Sequence, residues 1–268
     1  MTFIAGQIAA DEILCPVPPH QLRIDLQQRR WKSDSDPDSA ITDANDNGIP
    51  IDFVLLGFTP FYGNLGMRNH EEFIRIAYIG VAPLHRLLPK RCVCTSVISG
   101  KSSQKNFISY FQTLYNNRIN MASVITQTKF AGKSFTQTDA ATGADTGKVN
   151  YNVLELLDRP ANGKEEESLI EDINRWLTEL GGGEMVSSAL RSHIAGSNLV
   201  ELPLGTDHNE IKEQFQRQFP KPEQGGNFNS LPAGANETTS APPKPGAKSA
   251  DLSEEQKLAL KKAGLEVG

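Results

Sequence analysis

The sequence predicts an α+β protein that is mainly β, with helices flanking one β domain. Runs rich in β-branched and aromatic residues recur between residues 51 and 157. An apolar period of three to four residues occurs once inside that region and again after Pro160. Residues 220–250 are almost free of apolar side chains and are dominated by Pro, Gly, Asn, Ser, Thr and Ala. The folded part is therefore smaller than the 268-residue chain.

Five strands and one helix are predicted in the β-rich region. From Phe107 to Leu114 the apolar residues recur at helical spacing, so a helix is predicted over 104–116. Ser102 or Ser103 is the predicted cap of that helix. The helix separates the third predicted strand from the fourth. The strands are predicted at 51–59, 73–82, 91–99, 119–131 and 148–157.

After Pro160 the composition becomes acidic and helical. An apolar stripe from Leu169 to Leu180 predicts a helix over 164–180 that is buried against the β domain or against a second protomer, as in a homo-oligomer. Two further helices are predicted at 184–195 and 209–219. The predicted organisation is a partly flexible N-terminal extension (1–50), a β domain (51–160), an acidic helical flank (161–219), a disordered linker (220–250) and a C-terminal interaction tip (251–268).

The order of elements over about residues 51–160 is strand, strand, strand, helix, strand, strand, which resembles that of OB-fold single-stranded DNA-binding proteins. The resemblance implies a five-stranded OB-like barrel that binds a single strand across its second and third strands and the flanking loops. The polar linker and short tip also resemble those of bacterial single-stranded DNA-binding proteins. This tip is nearly neutral and lacks their acidic, aromatic ending. The side chains expected to bind a protein partner are Leu258, Leu260, Leu265 and Val267.

A long cationic block lies inside this acidic protein. The 66 residues from Phe73 to Thr138 contain nine Lys or Arg residues and eight aromatic residues, but no Asp or Glu. The rest of the chain holds 18 of the 27 bases and all 32 acids. Such a block suits a polyanion, because Lys and Arg displace counterions from phosphates. Aromatic faces can stack unpaired bases, which favours single-stranded DNA, or RNA, over a duplex.

The candidate interface combines cations and aromatic residues from this block and its borders. Aromatic residues of the predicted helix are assigned to the core instead. The cluster from Arg29 to Lys32 carries a smaller basic-aromatic signal, and its Trp31 suits a packing role. The predicted phosphate contacts are Arg91, Lys101, Lys105, Arg118, Lys129, Lys133 and Lys148, and the predicted stacking residues are Phe61, Tyr62, Phe130, Phe135 and Tyr151.

No catalytic residue, cofactor or metal is predicted. Gly100-Lys101-Ser102 and Gly132-Lys133-Ser134 resemble the end of a phosphate loop, but Thr95 and Gln127 stand where its first glycine is needed. The five histidines lack metal-ligand spacing, and the two-residue spacing of Cys92 and Cys94 predicts a buried thiol pair. The sequence contains no recognisable signal peptide or membrane span, so a cytoplasmic protein is expected.

Two other functions fit the same sequence. The basic face could dock an acidic protein or a structured RNA, which would make the chain an interaction or scaffold subunit. A metal-dependent nuclease would instead need carboxylates at the borders of the cationic block to converge. Those carboxylates are Asp52, Glu71, Glu72, Asp139 and Asp145.

Overall fold

The fold is known from a computed structural model, which describes residues 12–36, 38–138, 145–203 and 206–221. The chain divides into two units, Met1–Gln224 and Gly225–Gly268, and every described residue belongs to the first. The predicted tip and nearly all of the predicted linker lie outside the described residues. The same holds for the predicted partner-binding residues Leu258, Leu260, Leu265 and Val267.

A single sheet contains all nine strands found in the described residues. Its strands follow the order β3-β2-β1-β6-β5-β4-β7-β8, and β9 pairs with the far end of β4. All pairs are antiparallel except that of β1 with β6. The strands are β1 (His20–Asp25), β2 (Arg30–Ser33), β3 (Ala40–Ile41), β4 (Asp52–Leu65), β5 (Arg68–Ala82), β6 (Val93–Ile98), β7 (Ile125–Thr138), β8 (Asp145–Arg159) and β9 (Ser197–Glu201).

The predicted five-stranded OB-like barrel is wrong, although the chain is mainly β as expected. The sheet is a curled half-barrel of eight to nine strands. The five predicted strands correspond to β4 to β8, so a closed barrel would require the edge strand β6 to meet the edge strand β8. The N-terminal strand β1 occupies the edge of β6 instead, with His20 opposite Cys94 and Leu22 opposite Ser96. Residues 20–41 thus extend the sheet where a barrel would close.

Helices cover both faces of the sheet. The helix α1 (Lys101–Asn116) packs on one face, where its Phe107 joins Phe53 and Tyr78. The helices α2 (Lys164–Glu179) and α3 (Gly182–Arg191) pack on the other face, where Trp176 joins Val54. The apolar stripe predicted for residues 164–180 is therefore buried against this sheet. None of the helices in the described residues is long and apolar enough to cross a membrane.

Two details of these elements differ from the prediction. The first helix begins one turn early, at Lys101, and neither predicted serine caps it. Ser103 is buried instead, and its hydroxyl accepts a hydrogen bond from the backbone N–H of Leu154 at 3.0 Å. The fourth predicted strand begins later than expected, because Met121–Ser123 forms a 3-10 turn whose preceding residue, Asn120, caps it with its side chain.

The end of the folded chain forms a small third cluster. The helix α4 (His208–Gln218) begins after Asp207, whose carboxylate accepts the backbone N–H of Asn209. Phe215 of this helix packs edge-on against Tyr62 near the end of β4, with ring centroids 5.6 Å apart. Leu202 completes the buried cluster.

An Arg159 ion-pair cluster ties the sheet to α2. The guanidinium donates to a carboxylate oxygen of Asp52 at 2.9 Å and to one of Glu166 at 2.6 Å. The hydrogen bond from Arg159 holds the pKa of Glu166 below its ordinary value. Because the folded pKa is depressed, the pair stabilises the fold above the unfolded pKa, and this stabilisation is lost as the pH falls through the folded pKa.

Glu166→Gln is expected to lower the melting temperature by about 2–4 °C at pH 7, since it removes one partly exposed ion pair. Thermal melts across a pH series measure this. The difference from the unaltered protein is expected to shrink as the pH falls below 4.5, the ordinary pKa of glutamate, and to disappear below the depressed folded pKa of Glu166. Glu167→Gln, at the exposed neighbouring position, is the control. A Glu166→Gln deficit that persisted unchanged at low pH would contradict the assignment.

Candidate nucleic-acid interface

β7 and β8 leave the sheet together as a two-stranded arm. β4 pairs with β7 only at Asp52↔Gln127 and Phe53↔Thr126. The pairing of β7 with β8, in contrast, continues to Thr138↔Asp145. We define the arm as residues 129–138 and 145–155. Because side chains alternate along a strand, the arm has an inner face toward α1 and β2 and an outer face away from them.

The inner face is apolar near the sheet. The Phe130 ring lies 6.5 Å from that of Trp31, centroid to centroid, and Leu154 opposite it is buried. Asn106 of α1 donates to the Leu154 carbonyl at 2.9 Å, which fixes the arm to α1. Phe130, a predicted stacking residue, therefore packs against the core.

The outer face carries Lys133 and Phe135 of β7, two of the residues predicted to contact a nucleic acid. Lys133 lies directly opposite Tyr151 in the register, and Phe135 lies opposite Val149. The Phe135 and Tyr151 rings meet edge to face, with centroids 5.9 Å apart, and Phe135 is 46% exposed. Two ring surfaces and a cation thus lie side by side, which is the arrangement that unpaired bases and their phosphates require.

The outer face also carries one carboxylate. Lys129 is opposite Glu155 in the register, and the Lys133 ammonium lies 3.5 Å from a Glu155 oxygen. The side chains of Lys133 and Glu155 are 41% and 34% exposed, so solvent screens the ion pair and it contributes little stability. A phosphate can therefore replace Glu155 as the partner of Lys133 at small cost. Lys148 is exposed and lies opposite Thr136, so its side chain belongs to the inner face.

Other predicted phosphate contacts lie apart from the arm. Lys101 and Lys105 are exposed and line a groove of about 520 Å³ between α1 and the strands β4 and β5. Arg118 is exposed just beyond the end of α1. Arg91 forms an ion pair with Asp172 of α2 at 2.8 Å, with both side chains less than 20% exposed. Arg91 therefore links the sheet to α2.

The predicted stacking residues Phe61 and Tyr62 lie in β4 and are buried, at 9% and 4% exposure. Tyr62 packs against Phe215, and its hydroxyl accepts a hydrogen bond from the Gln216 amide at 2.6 Å. Neither ring offers a free face to a base. The aromatic and glycine residues at 60–66 continue the strand in this structure, so the sequence signal there reports packing.

Sequence reasoning placed no site residue in the N-terminal extension, but Arg29 contributes to the same region. Its exposed side chain lies against the inner face of the arm, where Nε donates to Asn152 Oδ1 at 2.9 Å. Arg29 and Asn152 border a cleft of about 440 Å³. The basic-aromatic cluster from Arg29 to Lys32 was the sequence feature that indicated a role for Arg29. Its position beside the arm depends on the β1–β2 pairing, which the sequence did not predict.

The carboxylates considered for a nuclease lie in different places. Asp52 is paired with Arg159 at the start of β4, whereas Glu71 and Glu72 lie at the opposite end of the β4–β5 hairpin. Asp145 is exposed on the arm, and Asp139 lies outside the described residues. In the described ranges, no three His, Cys, Asp or Glu residues form a group able to hold a metal ion.

The three cysteines are free thiols, and Cys92 and Cys94 are buried as predicted. Comparisons with protein-family models, with curated proteins and with solved structures give no match to this chain. The function of the arm is therefore inferred from its own side chains and their geometry.

Proposed function

We propose that the protein is a non-catalytic single-stranded DNA-binding protein, acting in the cytoplasm, whose bound strand lies along the outer face of the arm. Phe135 and Tyr151 stack bases, while Lys129 and Lys133, on the same face, contact phosphates. The leucine-bearing tip, residues 251–268, supports recruitment of a protein partner.

One observation carries the proposal: an aromatic pair, Phe135 exposed and Tyr151 half-buried, lies beside cations on an arm that projects from the sheet. At 46% exposure, Phe135 keeps part of its ring surface open to a ligand. Stacking needs a base whose face is free, so a single strand fits this surface better than a duplex. The neighbouring ammonium groups supply the phosphate contacts that fix the strand.

The test is fluorescence anisotropy of a labelled poly-dT oligonucleotide, titrated with the full-length protein over a salt series. Unlabelled duplex DNA, RNA and an acidic polypeptide serve as competitors. Salt-sensitive binding that duplex and polypeptide displace poorly supports the proposal. Stronger competition by RNA would assign the arm to RNA. Displacement by the acidic polypeptide alone would assign it to an acidic protein partner and overturn the proposal.

Replacing Lys129 and Lys133 together by glutamine is expected to reduce the slope of log K against log salt by about 1.4, since each phosphate contact with a single strand contributes about 0.7. Affinity is expected to fall alike for all base compositions, because phosphate contacts carry no sequence information. The same salt series measures both.

Lys90→Gln is the control, because Lys90 is also exposed in the cationic block but pairs with Glu165 of α2, away from the arm. An unchanged slope in the Lys129 and Lys133 double variant would remove both residues from the interface.

A further inference from the structure

The cleft between the β1–β2 turn and the inner face of the arm has a lining suited to one kind of ligand. Arg29 comes from the turn, and four small or polar residues come from the arm. Lys133 and Tyr151 complete the lining. Among the described residues, no carboxylate lines this cleft. The four residues from the arm are Gly132, Ser134, Asn150 and Asn152.

These four residues share one face of the arm. Gly132 is opposite Asn152 in the register, and Ser134 is opposite Asn150. Nearer the sheet the same face is apolar and closed by Phe130 and Trp31. The inner face therefore changes, along the arm, from core packing to a row of hydroxyl and amide groups. Such groups bind and orient a polar ligand but form no apolar core.

The Arg29 guanidinium is held in position over this row. Asn152 accepts from Arg29 Nε at 2.9 Å, and its own amide donates to the Leu26 carbonyl at 2.9 Å. Gly48 packs closely against this turn, since a Cβ added to Gly48 would lie 2.1 Å from the Arg29 carbonyl oxygen. An arginine held by neutral partners keeps its full charge for a ligand.

Gly132 provides the space below the guanidinium. A Cβ at this position would stand 3.5 Å from an Nη atom of Arg29 and 3.8 Å from Asn152 Oδ1. Alanine would fit without a clash, but a larger side chain would fill the floor of the cleft. The Arg29 guanidinium therefore lies close over Gly132, and among the described residues only Asn152 accepts a hydrogen bond from it, through Nε.

We propose that this cleft binds the phosphate of a nucleotide, with Arg29 as its principal ligand and Ser134 and Asn150 as hydrogen-bonding partners. The guanidinium fork matches phosphate oxygens. This inference rests on the proposed function and deepens it: it adds one phosphate contact, between the β1–β2 turn and the inner face of the arm, to the contacts of the outer face. The same phosphate chemistry is offered by a free mononucleotide, and the experiment separates these sources.

Two variants test the cleft in different ways. Arg29→Gln removes the charge, and Gly132→Val fills the floor without changing any charge. The control is Arg23→Gln, because Arg23 is an exposed arginine on β1 that does not line the cleft. Each full-length variant is titrated with the labelled poly-dT oligonucleotide over the salt series. Titration calorimetry with dTMP and with inorganic phosphate forms the second arm.

Both variants are expected to weaken poly-dT binding about 5- to 10-fold and to reduce the salt slope by about 0.7, the contribution of one phosphate. The decisive result is the slope of Gly132→Val, because loss of a general surface charge cannot explain a change in a variant of unaltered charge. Arg23→Gln is expected to stay within about twofold of the unaltered protein. Thermal melts verify folding, and Gly132→Leu or Asn150→Ala replaces Gly132→Val where valine disturbs the arm.

The remaining outcomes separate the inference from the proposed function. Tight poly-dT binding that neither variant changes overturns the cleft as a phosphate site and leaves the arm intact. Binding of dTMP that depends on Arg29, without binding of the oligonucleotide, overturns the proposed function and assigns the cleft to a free nucleotide. Binding of neither ligand overturns both.

Discussion

Alanine at Phe135 or at Tyr151 is expected to weaken binding of a poly-dT strand about 5- to 150-fold, which corresponds to about 1–3 kcal/mol for each stacked base. Both rings lie on the outer face of the arm and meet edge to face at 5.9 Å. Each ring therefore supports the other as well as a base. Because the two side chains are in contact, the double variant is expected to lose less than the sum of the two single losses.

The control for general loss of exposed aromatic surface is Tyr115→Ala. Tyr115 is 73% exposed on α1, outside the arm, so its removal is expected to leave affinity within about twofold. Phe135→Leu separates stacking from apolar contact, since leucine keeps the apolar character but has no flat face. Anisotropy titrations at fixed salt measure all five variants. Equal affinities for Phe135→Ala, Phe135→Leu and the unaltered protein would exclude the ring from the interface.

The strands that the sequence predicted are those with long runs of apolar and β-branched residues. β4 is the clearest case, because Phe53 and Leu55 face one core while Val54 and Leu56 face the other. The short strands of residues 20–41 carry few such residues and lie among turns. β1 is recognisable only through its pairing with β6, more than 70 residues away. Pairing between strands so far apart in the sequence is decided by tertiary packing, which the local sequence pattern does not show. The closed barrel was therefore predicted where an extended sheet forms.

The candidate site was predicted from charge, and charge alone does not tell which cations remain available. Lys133 and Arg91 carry the same charge in the same block. Lys133 lies on the projecting arm, whereas Arg91 is paired with Asp172. The acids that pair with Lys90 and Arg91 come from α2, which follows the block in the sequence and folds back on the sheet. A window without acids is therefore partly neutralised in three dimensions.

Arg75 is a second cation of the block that is unavailable to a ligand, because it is buried. It belongs to the cationic block, yet only 1% of it is exposed. Its guanidinium donates to the carbonyls of Leu190 and Ser192 at the end of α3, at 3.2 and 2.5 Å, and to the Thr95 hydroxyl at 3.3 Å. Burial lowers the pKa of Arg75 to about 10, so the group is still charged at neutral pH. The negative end of the α3 dipole provides the compensating field.

Arg75→Met is expected to lower the free energy of unfolding by about 2–4 kcal/mol. Methionine fills part of the volume but leaves the carbonyls of Leu190 and Ser192 without their donor, at about 1–3 kcal/mol for each buried unsatisfied group. Removal of a buried cation recovers part of that loss, since its desolvation no longer opposes folding. The urea midpoint is then expected to fall by about 1–2 M.

Binding of poly-dT is measured on the same Arg75→Met variant. Once the folded fraction is taken into account, Arg75→Met is expected to bind poly-dT as the unaltered protein does, because the buried guanidinium cannot reach a phosphate. Arg191→Gln is the stability control: Arg191 lies at the end of the same helix but is 61% exposed in its ion pair with Glu201, so its loss costs less than about 1 kcal/mol. A stable Arg75→Met protein with impaired binding would place Arg75 in the interface and contradict its role in joining α3 to the sheet.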